Sequence, residues 1–266
     1  MILNSKYNFL KPYKVKKLVR LGRDYDGGYL VCFEALKKCE NLITLGVGDD
    51  ISFEIDFEKR INSKKVKMYD YSVNNFSFLK IILKYFRRLI TFRTKLDNFI
   101  NSVKNYSNFL NFIKKKNVFF EKLRIVNKLK FKNDITLNTI LKNTYNKKNL
   151  LKIDIEGSEY EIINDIIRHN SKIKMLIIEF HWINKNKNLF IHSLKRLKSN
   201  FDIIHVHANN YRPMKNSDDI FDVLEVTMVH KDTNKYRKAF RENFPIKNLD
   251  FECFPNHKKI FFSFKN

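Results

Sequence analysis

The sequence contains little cysteine and no long hydrophobic run, and both absences restrict the classes of protein it can belong to. Its three cysteines, Cys32, Cys39 and Cys253, are odd in number and lack metal-ligand spacing, so we expect free thiols in a reducing cytoplasm. No uninterrupted apolar stretch approaches the roughly 20 residues that a membrane-spanning helix needs. The N-terminal stretch MILNSKYNFLKPYK has no apolar signal core, which disfavours secretion.

Acidic residues are scarce relative to basic ones, with 28 Asp and Glu against 52 Lys and Arg and a net charge of +24. Such an excess suggests an anionic partner, although a Lys- and Asn-rich composition that reflects genome base bias explains it equally well. The excess is concentrated between residues 78 and 132, where fifteen basic residues accompany two acids, Asp97 and Glu121. This local excess favours a phosphorylated substrate, a nucleic acid or an anionic membrane surface.

Short apolar runs typical of β-strands recur along the 266 residues, and helical patterns separate most of them. This alternation predicts an α/β fold whose first strands are parallel and buried on both faces. The last two runs are joined by a polar loop, 208–220, without helical periodicity, which predicts an antiparallel pair. The seven predicted strands lie in 41–48, 64–70, 117–126, 149–157, 173–182, 201–207 and 221–230.

Helical patterns fill most of the remaining segments. Residues 158–170 and 188–200 fit crossover helices, whereas 72–117 is too long for a minimal crossover and contains two amphipathic patterns. We interpret it as a helical insertion that forms a lobe or lid with a basic polar face; an ordinary pair of solvated helices is the alternative. The expected organisation is a single domain over 1–266, with an N-terminal segment, 1–40, and this insertion.

The stretch ITLGVGDDISFE leads from a predicted strand through Gly46 and Gly48 to two acids and a helix start. Glycine at the carboxyl end of a strand allows close approach of a ligand. The carboxylates of Asp49 and Asp50 would repel a pyrophosphate but suit an amine and a sulfonium, which favours S-adenosylmethionine over NAD. Asp70, at the end of the next strand, is expected to accept hydrogen bonds from ribose hydroxyls. A plain strand–turn–helix with a turn aspartate is the alternative.

Four carboxylates follow the apolar run in LLKIDIEGSEYEII. Strand alternation predicts that Asp154 and Glu156 emerge together at the carboxyl end of the strand, where open α/β sheets bind their ligands. Ser158 and Glu161 fit the S-x-x-E pattern of a helix capping box, and Glu159 is expected to complement the helix dipole in the first turn. Asp154 and Glu156 are therefore the site candidates.

The same stretch, LLKIDIEGSEYEII, resembles the signature of FkbM-type S-adenosylmethionine-dependent methyltransferases. RLGRDYDGGYLV resembles the N-terminal segment of a related bacterial branch, LGVGDDISFE its cofactor loop, and IIEFHW, HVHANN and VLEVTMV its later strands in order. Together these matches cover most of the chain except 72–117. The resemblance implies a class I methyltransferase (Rossmann-like) fold, with helices on both faces of a mostly parallel seven-stranded sheet. It also implies S-adenosylmethionine as cofactor and, commonly, O-methylation of sugars or natural products.

Methyl transfer to a sugar hydroxyl requires removal of the hydroxyl proton, by a base or with the help of a Lewis-acidic metal. His181 and His207 lie at predicted strand ends and are the candidate bases. Asp154 and Glu156 are the other predicted catalytic residues. Structural roles for the two histidines are the alternative. Asp154, Glu156 and His181 would also offer ligands suited to magnesium or manganese. His205 lies further inside its strand, and we expect it to be packed.

The remaining predicted site residues bind the cofactor or the substrate. GRDYDGGYLV is expected to form a glycine turn near the mouth of the site, with a solvent-facing hairpin as the alternative. The predicted cofactor-binding residues are Gly46, Gly48, Asp49, Asp70 and Asp154. The predicted substrate-binding residues are Arg23, Asp26, Tyr29, Asn209 and Asn210.

These observations favour an O-methyltransferase that acts on a nucleotide-activated sugar, such as a GDP-linked heptose or hexose, for surface or capsular polysaccharide synthesis in the cytoplasm. The charge favours a nucleic-acid methyltransferase as one alternative, but no Asn-Pro-Pro-Tyr type motif supports a nucleic-acid partner. A non-catalytic scaffold on the same fold is the other. We expect no membrane span, and a homodimer through the insertion is a further hypothesis.

Overall fold

The structure is a computed structural model that describes residues 1–62, 65–144, 148–211, 220–233 and 239–265. Its strands, in chain order, are β1 (Ile2–Leu3), β2 (Leu18–Leu21), β3 (Tyr29–Cys32), β4 (Asn41–Leu45), β5 (Lys65–Tyr69), β6 (Val118–Glu121), β7 (Arg124–Ile125), β8 (Asp134–Ile135), β9 (Asn149–Ile153), β10 (Ile173–Phe180), β11 (Phe201–Ala208), β12 (Leu224–His230), β13 (Asn243–Phe244) and β14 (Phe262–Phe264). Its α-helices are α1 (Phe33–Leu36), α2 (Ser52–Ile61), α3 (Asn75–Ile90), α4 (Leu96–Ile113), α5 (Leu137–Lys142), α6 (Ile163–Arg168) and α7 (Lys187–Leu197).

Seven of these strands form one central sheet in the order β11–β12–β10–β9–β4–β5–β6. Neighbours from β10 through β6 run parallel, whereas β12 is antiparallel to both β10 and β11. Each of the seven lies within or overlaps a predicted run, and the expected antiparallel pair is β11 with β12. This order, with one reversed strand next to the edge, is the class I methyltransferase (Rossmann-like) topology, so the predicted fold is confirmed.

Two hydrophobic clusters cover the two faces of the sheet. Adjacent residues of β9 alternate between them: Leu150 belongs to the cluster that includes α1 and α2, and Leu151 to the cluster that includes α5, α6 and α7. Both side chains are fully buried, and each such burial stabilises the fold by roughly 1.5–3 kcal/mol. Burial on both faces explains why these strands appear in the sequence as continuous apolar runs.

The predicted insertion at 72–117 forms two helices. Asn74 begins α3 with a capping box, in which its side chain accepts from the Ser77 amide while the Ser77 hydroxyl accepts from the Asn74 amide. Phe109 of α4 contacts Phe120 of β6 with ring centroids 5.2 Å apart, which attaches the pair to the edge of the sheet. The predicted crossover helices are also present, as α6 and α7.

Two short β-structures flank the sheet, a β2–β3 hairpin and a small sheet in the order β1–β14–β13. Gly22, Gly27 and Gly28 of GRDYDGGYLV lie between β2 and β3 in the turn of this hairpin, and the placement of the turn at the mouth of the site stays a prediction. All three cysteines are buried and free, as expected. Most of the predicted loop 208–220 lies outside the described residues. Among the helices of the described part of the chain, none is long and apolar enough to cross a membrane.

Candidate active site

A cavity of about 920 Å³ lies at the carboxyl ends of the central strands β4, β5 and β9. Gly46, Asp70 and Asp154 follow these three strands, and all three line the cavity as predicted. Residues 123–128, in and beside β7, contribute another part of the lining. The position and size are those of a cofactor pocket in an open α/β sheet.

The loop after β4 is held in shape by Asp70. Its Oδ2 atom accepts hydrogen bonds from the amides of Val47 and Gly48, at 2.8 and 3.1 Å, and its Oδ1 atom accepts from Ser72. Burial would raise the pKa of Asp70, but the Ser72 hydroxyl and the loop amides lower it below the ordinary value. Asp70 is therefore an ionised group at the cavity wall.

Gly46 brings this loop against the segment that leaves β9. Its φ of +79° is in the left-handed region, and a Cβ atom there would lie 1.6 Å from the carbonyl oxygen of Asp154. Gly48 has a φ of +65° but faces open space. Neither Gly48 nor Asp49 is part of the cavity lining, and the Asp49 side chain is exposed.

The turn after β9 differs from the predicted helix cap. Ser158 makes no side-chain cap hydrogen bond and Glu161 is exposed, so the predicted capping box is wrong. Glu159 is fully buried instead, and its Oε1 atom accepts from the amides of Ile155 and Gly157 at 3.2 and 3.0 Å. The buried carboxylate therefore closes the turn, a role that replaces the predicted interaction with the helix dipole.

His181 connects this turn to the end of β10. Its Nδ1 atom lies 2.9 Å from Glu159 Oε1, while its Nε2 atom lies 3.8 Å from Asp154 Oδ1 and 3.6 Å from Glu156 Oε2. Burial alone would lower the pKa of His181, but the Glu159 hydrogen bond and the neighbouring carboxylates raise it to about 9. The ring is therefore protonated at neutral pH in the absence of ligands.

Asp154 and Glu156 converge on His181 from different environments. Burial raises the pKa of Asp154 to about 6, against the opposing effect of the buried Lys152 ammonium. The Glu156 side chain is 82% exposed, and its backbone has a φ of +55°. The left-handed conformation turns Glu156 toward the His181 ring. The predicted reason, strand alternation, is wrong, because β9 already ends at Ile153.

Asp154, Glu156 and His181 offer three ligand atoms within 4.8 Å of one another. Because Glu159 holds the Nδ1 side of His181, the Nε2 atom is left facing the two carboxylates. A metal-binding histidine is held in this way, with its second nitrogen donating to a carboxylate. Two carboxylate oxygens and one imidazole nitrogen suit a hard divalent cation, so the residues fit the predicted magnesium or manganese site.

Lys152 and Glu54 form an ion pair beneath Asp154, with Nζ 3.4 Å from Oε1. Both side chains are almost completely buried, and Thr44 donates a further hydrogen bond to Glu54 Oε1 at 2.9 Å. Burial would lower the pKa of Lys152, but Glu54 and Asp154 raise it. The lysine therefore provides a fixed positive charge below the carboxylates of the site.

Further polar residues extend from His181 along the sheet. Glu179 Oε1 lies 3.9 Å from His181 Nε2 and accepts from the Asn209 amide at 2.9 Å, while Glu179 Oε2 accepts from the Tyr29 hydroxyl at 3.0 Å. Burial raises the pKa of Glu179 well above its ordinary value. Tyr29 and Asn209, both predicted to bind substrate, are buried around this glutamate.

His207 lies in a second polar cluster. Glu179 of β10 and Glu225 of β12 are paired in the strand register, and together they connect this cluster to the one around His181. His207 is paired with Glu225 in the β11–β12 register, and its Nε2 atom lies 3.6 Å from Cys253 Sγ. Burial raises the pKa of Glu225 to about 7, with His207 opposing the shift. His181 and His207 therefore belong to neighbouring clusters.

Asp250 bridges the two histidines of β11. Its Oδ1 atom lies 2.9 Å from His205 Nε2 and 3.4 Å from His207 Nδ1. Burial would raise the pKa of Asp250, but the two imidazoles lower it well below the ordinary range. His205 is buried in this network, in agreement with its predicted packing role.

The remaining predicted substrate residues lie around the β2–β3 hairpin and the end of β11. Arg23 Nε lies 3.4 Å from Asp50 Oδ2 and also donates to the Asp26 carbonyl, while burial raises the pKa of the Asp26 carboxyl. The Asn210 side chain donates to the Phe254 carbonyl and accepts from the Phe254 amide, both at 2.9 Å. Asn210 thus holds the C-terminal segment in place.

A sequence model of the methyltransferase FkbM domain matches residues 15–213. The chain belongs to this family. The FkbM match includes the glycines of the loop after β4, Asp70, Asp154 and His181, whereas β12 and Cys253 follow it. A search of curated proteins found no significant match.

Several solved structures resemble this FkbM domain only distantly. Fibrillarin, a pre-rRNA processing protein of Methanococcus jannaschii, is 10% identical, with a TM-score of 0.39 over 74% of this chain and 69% of that chain. Precorrin-6y C5,15-methyltransferase of Geobacter metallireducens is 10% identical, with a TM-score of 0.35 over 74% and 86%. M. capricolum TrmK, solved with S-adenosyl-homocysteine, is 13% identical, with a TM-score of 0.36 over 76% and 69%.

Several residues of the FkbM site were missed by sequence reasoning. Each carries a buried polar group with at least one partner distant in the sequence, so no local pattern identifies its role. The one sequence signal was indirect. Glu179 and Glu225 lie within apolar strands, and a carboxylate buried there requires a polar or charged partner elsewhere in the chain. The missed residues are Glu54, Lys152, Glu159, Asp250 and Cys253.

Proposed function

We propose that this FkbM domain transfers a methyl group from S-adenosylmethionine to a hydroxyl of a nucleotide-activated sugar, such as a GDP-linked heptose or hexose. The observation that carries the proposal is the position of Asp154. It lines the cofactor-sized cavity and also lies 3.8 Å from the candidate base His181. One residue thus joins a cofactor site to an acid–base site, as hydroxyl methylation requires. We propose surface or capsular polysaccharide synthesis in the cytoplasm as the context.

The cofactor would be held by Gly46, Asp70 and Asp154. Gly46 lets the loop pack against the segment after β9 at the cavity wall, and the ionised Asp70 can accept a hydrogen bond from a ribose hydroxyl in exchange for that of the Ser72 hydroxyl. Bound there, S-adenosylmethionine supplies the methyl group on a positively charged sulfonium. The surrounding carboxylates favour such a cation and disfavour a pyrophosphate.

His181 is proposed to accept the hydroxyl proton at Nε2. In the ligand-free protein its pKa is about 9, which keeps the ring protonated. A positive charge next to Asp154 and Glu156 lowers that pKa toward neutrality, the range in which an imidazole accepts protons. A magnesium or manganese ion on the carboxylates of Asp154 and Glu156 would supply such a charge and Lewis-acid activation of the hydroxyl. If the ion also bound Nε2, His181 would be a metal ligand and the ion would replace it as the group that activates the hydroxyl.

The nucleotide is proposed to lie in a second cavity, of about 470 Å³, which shares Tyr71, Arg124 and Phe131 with the first. Lys122 lines this second cavity and Lys128 lines the first. Cationic side chains and exposed aromatic rings suit a diphosphate and a base, respectively. Arg124 is paired with Asp134, so Lys122 and Lys128 are the charges that support an anionic, nucleotide-linked acceptor.

Calorimetric titration with S-adenosylhomocysteine tests the cofactor site. We expect binding to the wild type, weaker binding to Asp70→Asn, and unchanged binding to Asp24→Asn, whose side chain is 71% exposed. Absence of binding to the folded wild type would refute the cofactor assignment.

Incubation with methyl-labelled cofactor and a panel of nucleotide sugars tests the acceptor. Label is expected in at least one nucleotide sugar, with loss in His181→Ala. Label in RNA alone would establish the nucleic-acid alternative, and cofactor binding without transfer to either substrate would favour a scaffold.

A further inference from the structure

The α3–α4 hairpin carries a stripe of apolar side chains with no protein over it in the described part of the chain. Five residues of α3 recur at intervals of three and four, a spacing that places them along one side of a helix. All five are exposed, with relative accessibilities between 45% and 64%. They are Phe76, Leu79, Leu83, Phe86 and Ile90.

The second helix extends the stripe. Ring contacts of Phe78 with Tyr106 and of Phe86 with Phe99 show that α3 and α4 run antiparallel. Leu96, Ile100 and Val103 of α4 are 56%, 37% and 41% exposed. On each helix, the exposed apolar residues lie roughly 120° around the helix axis from the residues that contact the other helix, at 3.6 residues per turn. The direction of this rotation, viewed along the chain, is the same in α3 and α4. In an antiparallel pair, equal rotations of this kind lead to the same face.

Phe92 projects from the tip of the hairpin. It is 97% exposed and has a φ of +53°, at the left-handed position that ends α3. The Arg93 amide bonds to the Arg88 carbonyl across it, which is the arrangement in which glycine is normally found. A bulky ring in this position costs conformational energy and gains no packing, which indicates a role outside the folded chain.

The apolar face is bordered by positive charge. Lys80 and Arg87 follow the stripe on the side of α3 away from α4, Lys84 and Arg88 lie further round the helix, and α3 contains no acid. Arg93 and Lys95 add two charges at the tip, and between residues 75 and 104 the acid is Asp97 alone, against seven basic residues. We call the eight apolar residues of α3 and α4 with Phe92 the hairpin face.

We propose that the hairpin face docks the protein onto the surface of an anionic lipid bilayer. Apolar residues on one side and cations beside them are the composition of helices that lie in the membrane interface, where buried apolar area and attraction to anionic headgroups add together. At 1.5 Å per residue, α3 is about 24 Å long, enough to lie along the surface. The absence of a spanning helix in the described chain agrees with docking at the surface.

Two other occupants of the hairpin face, a second copy of the chain and a nucleic acid, fit its composition less well. A second copy docked on the hairpin face would bring the basic residues beside it close to those of the first copy, and like charges at short distance repel. A nucleic acid would satisfy the cations but leave the aliphatic stripe exposed to water, since phosphate contacts do not bury leucine or isoleucine. An anionic bilayer complements both parts.

Vesicle flotation of the full chain tests the proposal. We expect little binding to phosphatidylcholine vesicles and strong binding when about a third of the lipid is phosphatidylglycerol, with affinity falling as salt is raised. Removal of one apolar contact by Leu83→Ser should lower the affinity about tenfold. Removal of one charge by Arg87→Gln should lower it about fivefold. Leu189→Ser on α7, at a position 45% exposed, is the matched control and should bind like the wild type.

Phe92→Gly separates membrane binding from folding. Glycine suits the left-handed position, so the melting temperature should stay the same or rise, while vesicle affinity falls about tenfold. Equal binding to neutral and anionic vesicles, or none to either, would overturn the proposal. So would sedimentation showing a dimer that Leu83→Ser dissociates, or retention of RNA or an acidic peptide in place of vesicles. Binding of S-adenosylhomocysteine is measured in parallel, and its outcome bears on the proposed function alone.

Discussion

His181 Nδ1 lies 2.9 Å from Glu159 Oε1, and the same oxygen accepts the two backbone amides that close the turn after β9. One buried carboxylate oxygen therefore fixes both the path of the chain and the orientation of the candidate base. The second oxygen, Oε2, is buried without a hydrogen-bond partner among the described residues. Glu159 positions His181 and leaves Nε2 directed toward Asp154 and Glu156.

Glu159→Gln should weaken this arrangement. Loss of the charged hydrogen bond should lower the pKa of His181 below about 9 and reduce the free energy of unfolding by about 1–3 kcal/mol. Histidine NMR titration and urea denaturation measure the two effects. Glu161→Gln, in the same turn but exposed, is the control. An unchanged His181 titration in Glu159→Gln would contradict the assigned role.

His181 should make stability depend on pH in a defined window. Its pKa is raised from 6.5 to about 9 on folding, so the folded state binds the proton more tightly than the unfolded state. The resulting stabilisation, on the order of 3 kcal/mol, is fully present below pH 6.5 and is lost as the pH rises through about 9. The difference in unfolding free energy between wild type and His181→Gln should shrink across this window. A difference that grew with pH would have the wrong sign.

Gly46→Ala and Gly48→Ala form a matched pair. Both positions have positive φ, but a Cβ at Gly46 would overlap the Asp154 carbonyl oxygen whereas one at Gly48 meets open space. We expect Gly48→Ala to cost about 1 kcal/mol, and Gly46→Ala to cost 4 kcal/mol or more, about the level of the most damaging core substitutions. Thermal unfolding compares the two. Equal losses would show that the approach of the loop to β9 is unimportant.

Lys152→Met should be more damaging than removal of the whole ion pair. It leaves the Glu54 carboxylate buried without its cation, which costs about 3–5 kcal/mol. Lys152→Met combined with Glu54→Leu removes both charges and should recover most of that loss. Chemical denaturation of the single and double variants gives the coupling between the two residues. A double variant no more stable than the single one would argue against this account.

The sheet could be predicted from the sequence because its strands are buried on both faces. Runs such as NLITL and NLLKI are predominantly apolar, and segments with helical patterns or turns separate them, so each strand can be recognised from the sequence. Asp70 and Asp154 could also be predicted as site residues, because each follows a predicted strand. The order of β11 and β12 in the sheet is not encoded in any local pattern and requires the structure.

The buried carboxylates show where prediction fails. Ser158 and Glu161 carry the letters of a capping box, and that pattern is identical whether or not the hydrogen bonds form. The role of Glu159 depends on His181, which lies 22 residues further along the chain. Asp250 likewise depends on two histidines brought to it by β11. Such contacts are decided by tertiary packing, which no local sequence window contains.

Because β12 lies between β10 and β11 in the sheet, the order of synthesis limits when β11 can join it. During synthesis β11 leaves the ribosome before the strand that will join it to the sheet, so it has no place in the sheet until residues 224–230 follow. The cavity beside β4, β5 and β9 can assemble earlier, whereas the cluster around His207 waits for Asp250 and Cys253 near the C-terminus. The residues that line the cavity are therefore synthesised before Asp250 and Cys253, which complete the neighbouring histidine cluster.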